Sequence, residues 1–452
     1  MTEQRSPKER CENHDYPYKN NSAHGTCRTQ KDTPSKAPDK VVVVGSLNMD
    51  YVLTTERLPR KGETLPAHDF STVHGGKGMN QAVAIARLGG NAVRPVMVGC
   101  LGKDRDGDQL VQALSKASIA GDFIQRREDF TTGIAFITVS DTGDNTIVVH
   151  PGSNHGLSPQ WVRDAMNKHR HAAMVVLQME IPLEVVQQTI DTAYDYGIPV
   201  VLNPSPFKSL PKETLEKVHT LVVNQVEAEQ IAKSIGALPK SLAADDHFGH
   251  PQVSTEAQQH TPRHTKVPTK AQQDTPRPSK EPQRGSHTPP DPEEPTAKRH
   301  DSKDDPDPRA LVAALSKTKI PHIILTHGDQ GVYYNRQDPF SDRCHHTRGD
   351  ASTDPFDDHW KGHSENTKAD EKSPTAVYHQ PAKKVSVVDP TAAGDSFLGA
   401  YVAGRSLGYS PEKSIAYGIH AGAFAVTKSG AQPSIPTKKD LLSAGWQECP
   451  EE

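Results

Sequence analysis

Short apolar runs bounded by turns, with longer amphipathic stretches between them, set the outline of this chain. Val41–Val44 is a run of four valines ending at Gly45, the pattern of a strand buried on both faces. Val93–Val98, Ala173–Gln178, Pro199–Leu202, His219–Val223 and Ile320–Thr326 read as further strands. Helical spacing predicts helices from Lys77 to about Leu88, then over Asp106–Lys116, Leu183–Tyr196, Val226–Ser234 and Ala310–Ser316. Helices also follow over Asp395–Ser406, Pro411–Thr427 and Lys438–Ala444. Tyr51–Thr55 with His68–Val73, and Gly133–Ser140 with Thr146–Val149, read as hairpins apart from the main sheet, and Gly331–Tyr334 and Ala376–His379 as late strands. Strands alternating with helices predict an α/β fold, a mostly parallel sheet covered by helices on both faces.

Three stretches break the pattern. Residues 1–39 are polar and aperiodic and read as a disordered tail. Between Phe248 and Pro308 the large apolar residues are Phe248, Val253 and Val267, against twelve prolines. Such a stretch buries too little surface to offset its chain entropy. Two disordered insertions, about 242–308 and 336–375, are therefore expected to interrupt one domain spanning 40–445. Loop closure costs only the logarithm of length, so a folded domain tolerates them. They also explain a hydrophobic content of only 34% in 452 residues.

A net charge of −4 gives no electrostatic case for nucleic acid or membrane partners. No apolar run approaches the length of a membrane span, and the acidic N-terminal residues Glu3, Glu9, Glu12 and Asp15 fit neither a signal nor a transit peptide. Five scattered cysteines suit a reducing compartment, cytoplasmic with the nucleus as an alternative, and Cys100 reads as a small buried hydrophobe. Cys344, His345, His346, His359 and His363 match no structural zinc spacing.

The chemistry concentrates in Asp389-Pro-Thr-Ala-Ala-Gly-Asp-Ser-Phe-Leu-Gly399. Small residues Ala392, Ala393 and Gly394 let backbone N–H groups approach an anion at a helix start. Asp395 in that first turn is placed to accept a proton from a hydroxyl beside the anion. A plain strand-to-helix turn with a capping Asp is the alternative. Gly75-Gly76-Lys77-Gly78-Met79-Asn80-Gln81-Ala82 opens another helix, with glycines for close approach, a cation and an amide. Asn48, Asp50 and Glu180 lie just past apolar runs, where α/β sheets bind ligands, or serve as turn residues. Asn224 and Glu227 either orient metal-bound water and phosphate or form a helix cap. Thr326-His-Gly-Asp-Gln-Gly331 can admit a nucleotide, or is a hairpin turn.

The two glycine-rich motifs together resemble the signatures of the ribokinase-like, PfkB-type carbohydrate kinases. The resemblance extends to Val-Val-Gly-Ser-Leu-Asn-Met-Asp50, Gly62-Glu63-Thr64, Leu202-Asn203-Pro204-Ser-Pro206, Asn224-x-x-Glu227 and Ala425-Val-Thr-Lys-Ser-Gly-Ala-Gln-Pro-Ser434. It implies a three-layer α/β/α sandwich with a small β-sheet lid, often dimeric through the lids. It implies phosphorylation of the 5-hydroxyl of D-ribose by ATP with Mg²⁺. Sugar contacts would come from Asn48, Met49, Asp50, Gly76, Lys77, Gly78, Asn80 and Glu180, with Asp395 as base and Ala392, Ala393 and Gly394 as the anion hole. The nucleotide side would comprise Asn224, Glu227, Thr326, His327, Gly328, Asp329, Gln330 and Gly331 with Gly394 and Asp395. An activating K⁺ would lie among Asp389, Thr391, Ala425, Lys428, Gly430 and Ser434, largely on backbone oxygens. The chain departs from the pattern at Pro390, where family members usually carry Thr, and at Ile419, a commonly polar position beside His420. A catalytically inactive sugar sensor, or a kinase for deoxyribose or a nucleoside, are the competing expectations.

Overall fold

The computed structural model describes residues 39–238, 306–335 and 376–447. The expected tail and the two insertions lie outside the described residues except at their margins. Asp39 already belongs to the first strand, and Pro308 opens a helix capped by Asp307, so the expected tail and first insertion were drawn slightly too long.

The main sheet is built from β1 (Asp39–Val44), β4 (Val93–Gly102), β5 (Ala120–Arg127), β8 (Met174–Leu177), β9 (Val200–Leu202), β10 (Thr220–Asn224), β11 (His322–Thr326), β12 (Val332–Asn335) and β13 (Val377–Gln380). Their order is β13-β12-β11-β10-β9-β8-β1-β4-β5. All pairings are parallel except β11–β12 and β12–β13.

The valine run shows why three layers form. Val41 and Val43 pack into one core, Val42 and Val44 into the other. The first core takes α1 (Lys77–Gly89), α2 (Arg105–Lys116), α8 (Ala393–Ser406) and α9 (Pro411–Ala425). The second takes α3 (Pro159–Lys168), α4 (Leu183–Asp195), α6 (Gln225–Ser234) and α7 (Pro308–Leu315). Short helices α5 (Lys212–Leu215), α10 (Ala431–Ser434) and α11 (Lys438–Ser443) complete the described elements. Helix α1 is buried from Gly78 to Ile85, the polar Asn80 and Gln81 included, and Gly399 lets α8 lie directly on Ala84 of α1. Cys100 is buried, as expected.

A second sheet holds β2 (Asn48–Thr55), β3 (Asp69–Gly75), β6 (Gly133–Ser140) and β7 (Asn145–His150) in the order β3-β2-β6-β7. Both expected hairpins are present, and they join through the parallel pair β2–β6. This α/β/α sandwich with a small second sheet agrees with the expected fold. One detail differs. Asn48, Met49 and Asp50 stand on a strand of the small sheet, not in a turn.

Candidate active site

The site residues line the carboxyl edge of the main sheet in spatial sequence. β1 ends in Gly45-Ser46-Leu47 and leads into the lid, β8 into Gln178 and Glu180, β9 into Asn203, β10 into Asn224, and β11 into Thr326. In open α/β sheets this edge is where ligands are held.

The start of α1 is pressed against the β1–β2 turn. Met79 N donates to Ser46 O at 2.9 Å, and Gly78 N donates to Ser46 Oγ at 3.2 Å. Only glycine allows this contact. A Cβ on Gly78 would lie 2.6 Å from Ser46 N, and Gly76, at φ 85°, would place one 2.9 Å from Asn48 N. Ser46 Oγ in turn donates to Glu180 Oε2 at 2.5 Å, and Lys77 N donates to the same oxygen at 3.0 Å.

Along β2, alternation sends Asn48 and Asp50 to one side and Met49 to the other. Met49 is packed in the first core. Asn48 Oδ1 accepts from Asn154 Nδ2 at 2.7 Å, and Asn154 also clamps both backbone groups of Leu47. Asp50 is buried, and its Oδ1 has no protein partner. Burial, with the nearby Glu180 charge added, pushes its carboxyl up to about 7. A raised acid is favoured in its protonated form on folding. Its stabilising contribution is complete below the ordinary carboxylate range and is lost as pH rises through about 7. The unliganded protein is thus expected to lose thermal stability from pH 5 to pH 8, and Asp50→Asn to flatten that slope. Identical Tm-against-pH curves for the two would contradict the assignment.

Asp395 is buried in the first turn of α8. Asn80 Nδ2 donates to its Oδ2 at 3.1 Å, and Gln81 Nε2 to its Oδ1 at 2.9 Å. Lys77 loses some basicity to burial, but Asp395, Glu180 and Glu227 together outweigh that and raise it, so the ammonium stays charged among three carboxylates. These contacts and charges link Lys77, Asn80, Glu180, Glu227 and Asp395, and through Glu180 also Asp50.

Ahead of Asp395, Ala392 adopts a left-handed φ of 61°, one of two non-glycine residues with positive φ among the described residues. Such a conformation costs about 1–3 kcal/mol and tends to mark functional turns. It turns the chain so that α8 starts with no side-chain cap. The N–H groups of Gly394 and Asp395, in the first turn, have no intrahelical acceptor. Gly394 is exposed, with open space where its Cβ would be.

On the nucleotide side, Asn224 and Thr326 are register neighbours on β10 and β11. Asn224 and Glu227 form a capping box: Asn224 Oδ1 accepts from Glu227 N at 2.8 Å, and Glu227 Oε2 accepts from Asn224 N at 3.1 Å. The cap and the charge near Lys77 are thus both features of Glu227. The Thr326–Gly331 segment is the turn between antiparallel β11 and β12, with Gly328 at φ 50° and Gly331 at φ 100°. Gly331 is packed against the backbone of Gln380–Ala382, and His327 Nδ1 is buried without a protein partner. Gln330 O is met by His379 Nε2 at 2.7 Å.

Asp389 joins the segments expected to hold K⁺. Its Oδ1 accepts from Thr391 N and its Oδ2 from Gly430 N, each at 2.8 Å. Ala425 O already accepts from Lys428 N at 3.1 Å, the Lys428 ammonium lies over the Phe424 ring, and Ser434 Oγ donates to Ala431 O. Any contribution of Lys428 is therefore from its backbone. Pro390 O accepts from Ala393 N at 3.3 Å, so the proline closes the turn with its carbonyl. Ile419 is buried in the first core, and His420 is turned onto Trp446.

Ser46, Gln81, Asn154, Gln178 and Asn203 were not singled out as site residues from the sequence. Gln178 and Asn203 carried a signal, since each is the first polar residue after an apolar run.

Residues 38–252 and 371–438 match the pfkB family carbohydrate kinase model. Ribokinase of Schizosaccharomyces pombe is 27% identical over 88% of this chain and 95% of its own length. Ribokinase of Bacillus subtilis is 37% identical over 42% of this chain and 63% of its own length. The structure of Arabidopsis thaliana ribokinase complexed with ribose and ATP is similar in fold, with a TM-score of 0.59 at 22% identity, covering 90% of this chain and 98% of that one. The chain belongs to the pfkB family of carbohydrate kinases, and it is a sugar kinase.

Proposed function

We propose that this chain transfers the γ-phosphoryl group of ATP to the 5-hydroxyl of D-ribose, giving D-ribose 5-phosphate and ADP, with Asp395 as the general base. One observation carries the reading. The buried Asp395 carboxylate, steadied by Asn80 and Gln81, shares a helix turn with free N–H groups facing open space. Ribokinases are among its relatives at 27% and 37% identity, alongside deoxyribokinases at 33%.

Asn48, Asp50, Lys77, Asn80 and Glu180 supply the donors and acceptors that several sugar hydroxyls require when taken out of water. Asp395 orients the reacting hydroxyl for in-line attack and takes its proton. A carboxylate is a weak base for an alcohol, so most of the rate comes from positioning and from charge stabilisation at the α8 N-terminus and Lys77. Asn224, Glu227 and the Thr326–Gly331 turn flank the nucleotide, and His327 Nδ1 offers it an unused ring nitrogen. Among the described residues no cluster of three His, Cys, Asp or Glu forms a metal cage. That fits Mg²⁺ held mainly by the nucleotide's phosphates, with Glu227 able to meet its water shell. Mg²⁺ would neutralise phosphate charge there. The Asp389 bridge brings the 389–391 and 425–434 segments together, as a K⁺ site on their backbone oxygens requires.

Exposed apolar residues on the lid, Phe70, Phe136, Ile147, Val148 and Val149, support a homodimer formed lid to lid.

A substrate panel tests the function. Sugar-dependent ADP release is expected with D-ribose and to be about 10²-fold or more weaker in kcat/KM with 2-deoxyribose, because a site built to pair a hydroxyl penalises its loss. Equal or greater activity on deoxyribose or a nucleoside would reject the ribose assignment, and no sugar-dependent ADP at all would favour a non-catalytic sensor.

A further inference from the structure

Asp395 is anchored from behind by a chain of side-chain amides, two of them fully buried. Gln81, on α1 and fully buried, donates from Nε2 to Asp395 Oδ1 at 2.9 Å and to Asn203 Oδ1 at 3.3 Å. Its Oε1 accepts from Gln178 Nε2 at 2.6 Å. Asn203 Nδ2 donates to the Val222 carbonyl at 3.1 Å. Gln178 is also fully buried, and its Oε1 ends the chain without a protein partner.

Each amide has one donor end and one acceptor end, so their orientations are not independent. The Val222 carbonyl can only accept, so it holds the Asn203 NH₂ and leaves Asn203 Oδ1 facing Gln81. Gln81 must answer with its own NH₂, which is also the group that faces Asp395. Its oxygen is left for Gln178. Turning Gln81 over would set oxygen against oxygen at Asn203 and at Asp395 together. We propose that Gln81, locked by Asn203 and Gln178, is a positioning residue for phosphoryl transfer. It presents only a donor to Asp395 Oδ1 and fixes the lone pair left for the sugar hydroxyl. With Asn80 on Oδ2, neither oxygen can swing away. The inference rests on the reading of Asp395 as the base.

Gln81→Met keeps length and packing and removes the donor. It is expected to lower kcat about 10- to 100-fold with KM for sugar and ATP within about twofold. Gln81→Glu sets a carboxylate against Asp395 and is expected to move the acid limb of kcat up by about one pH unit or more. Gln178→Met, one link further back, should reduce kcat in the same pattern but less. Lys77 is the charged group facing Asp395 from α1, with Glu180 and Glu227 sharing that lysine, and all three are unchanged in these variants. Folded variants at positions 81 and 178 with wild-type kcat and pH profile would overturn the proposal. Should Gln81→Met fail to fold, the Gln81→Glu and Gln178→Met profiles decide the same question. Asp395→Asn, measured alongside, separates the two levels. If it is inactive while the glutamine variants are normal, only the positioning role falls. If it is active, the base assignment falls and takes the proposal with it.

Discussion

Asp395→Asn is expected to lower turnover about 10²–10⁴-fold while sugar affinity changes little. The substitution keeps the shape of the side chain and removes its capacity to take a proton. The surroundings can absorb it. Gln81 Nε2 can still donate to the new amide oxygen at the Oδ1 position. The new NH₂ would then face Asn80, whose Oδ1 is buried and unpaired, so a flip of Asn80 restores a hydrogen bond. Lys77 keeps two of its three carboxylate neighbours, Glu180 and Glu227, and so remains charged. The expected signature is a folded protein that titrates normally with sugar by calorimetry and releases ADP very slowly. Near-normal ADP release would reject the base assignment, because a residue acting only as a helix cap has no reason to affect turnover.

Gly394→Ala separates stability from chemistry in the opposite direction. A methyl there meets nothing within 4 Å, and the position is helical rather than left-handed. Replacing glycine by alanine in a helix favours folding by about 0.5–1 kcal/mol. The same methyl projects into the space in front of the α8 N–H groups, which the proposed function fills with a phosphate. Turnover is therefore expected to fall at least about tenfold, from partial loss of the charge stabilisation such donors supply, while Tm is unchanged or raised. A variant equally active and more stable would show that the α8 N-terminus is not where the phosphate sits.

How much of this could be read in the sequence depended on whether a feature was local. The valine run of β1, the Gly76–Gly78 helix start and the small-residue turn before Asp395 are local patterns, and each appears in the structure where its residues placed it. Asn48 and Asp50 resembled turn residues because polar side chains after Gly45 usually are. Pairing of Asn48 with Gly75 and Gly133 and of Asp50 with Val73 and Ala135, a tertiary event, makes them part of a lid strand instead. Strand β5 was not anticipated. Its sequence, AGDFIQRR, has no apolar run, and its pairing with β4 shifts register between Val96 and Val98. Helix α3 was also missed, although Ser158 as cap and Pro159 at the first helical position were available signals. The amide chain behind Asp395 was invisible for a different reason. Its members, at positions 81, 178 and 203, come from a helix and two strand ends that only the fold brings together.

The account depends on sugar and phosphate meeting at one helix turn. A crystal structure of the chain with D-ribose and a non-hydrolysable ATP analogue measures that meeting directly. The expected result is a ribose bound among Asn48, Lys77 and Glu180, its 5-hydroxyl within hydrogen-bond distance of Asp395 and the terminal phosphate on the Gly394 amide. A ribose that leaves Asp395 without a contact, or a phosphate seated away from the start of α8, would contradict it.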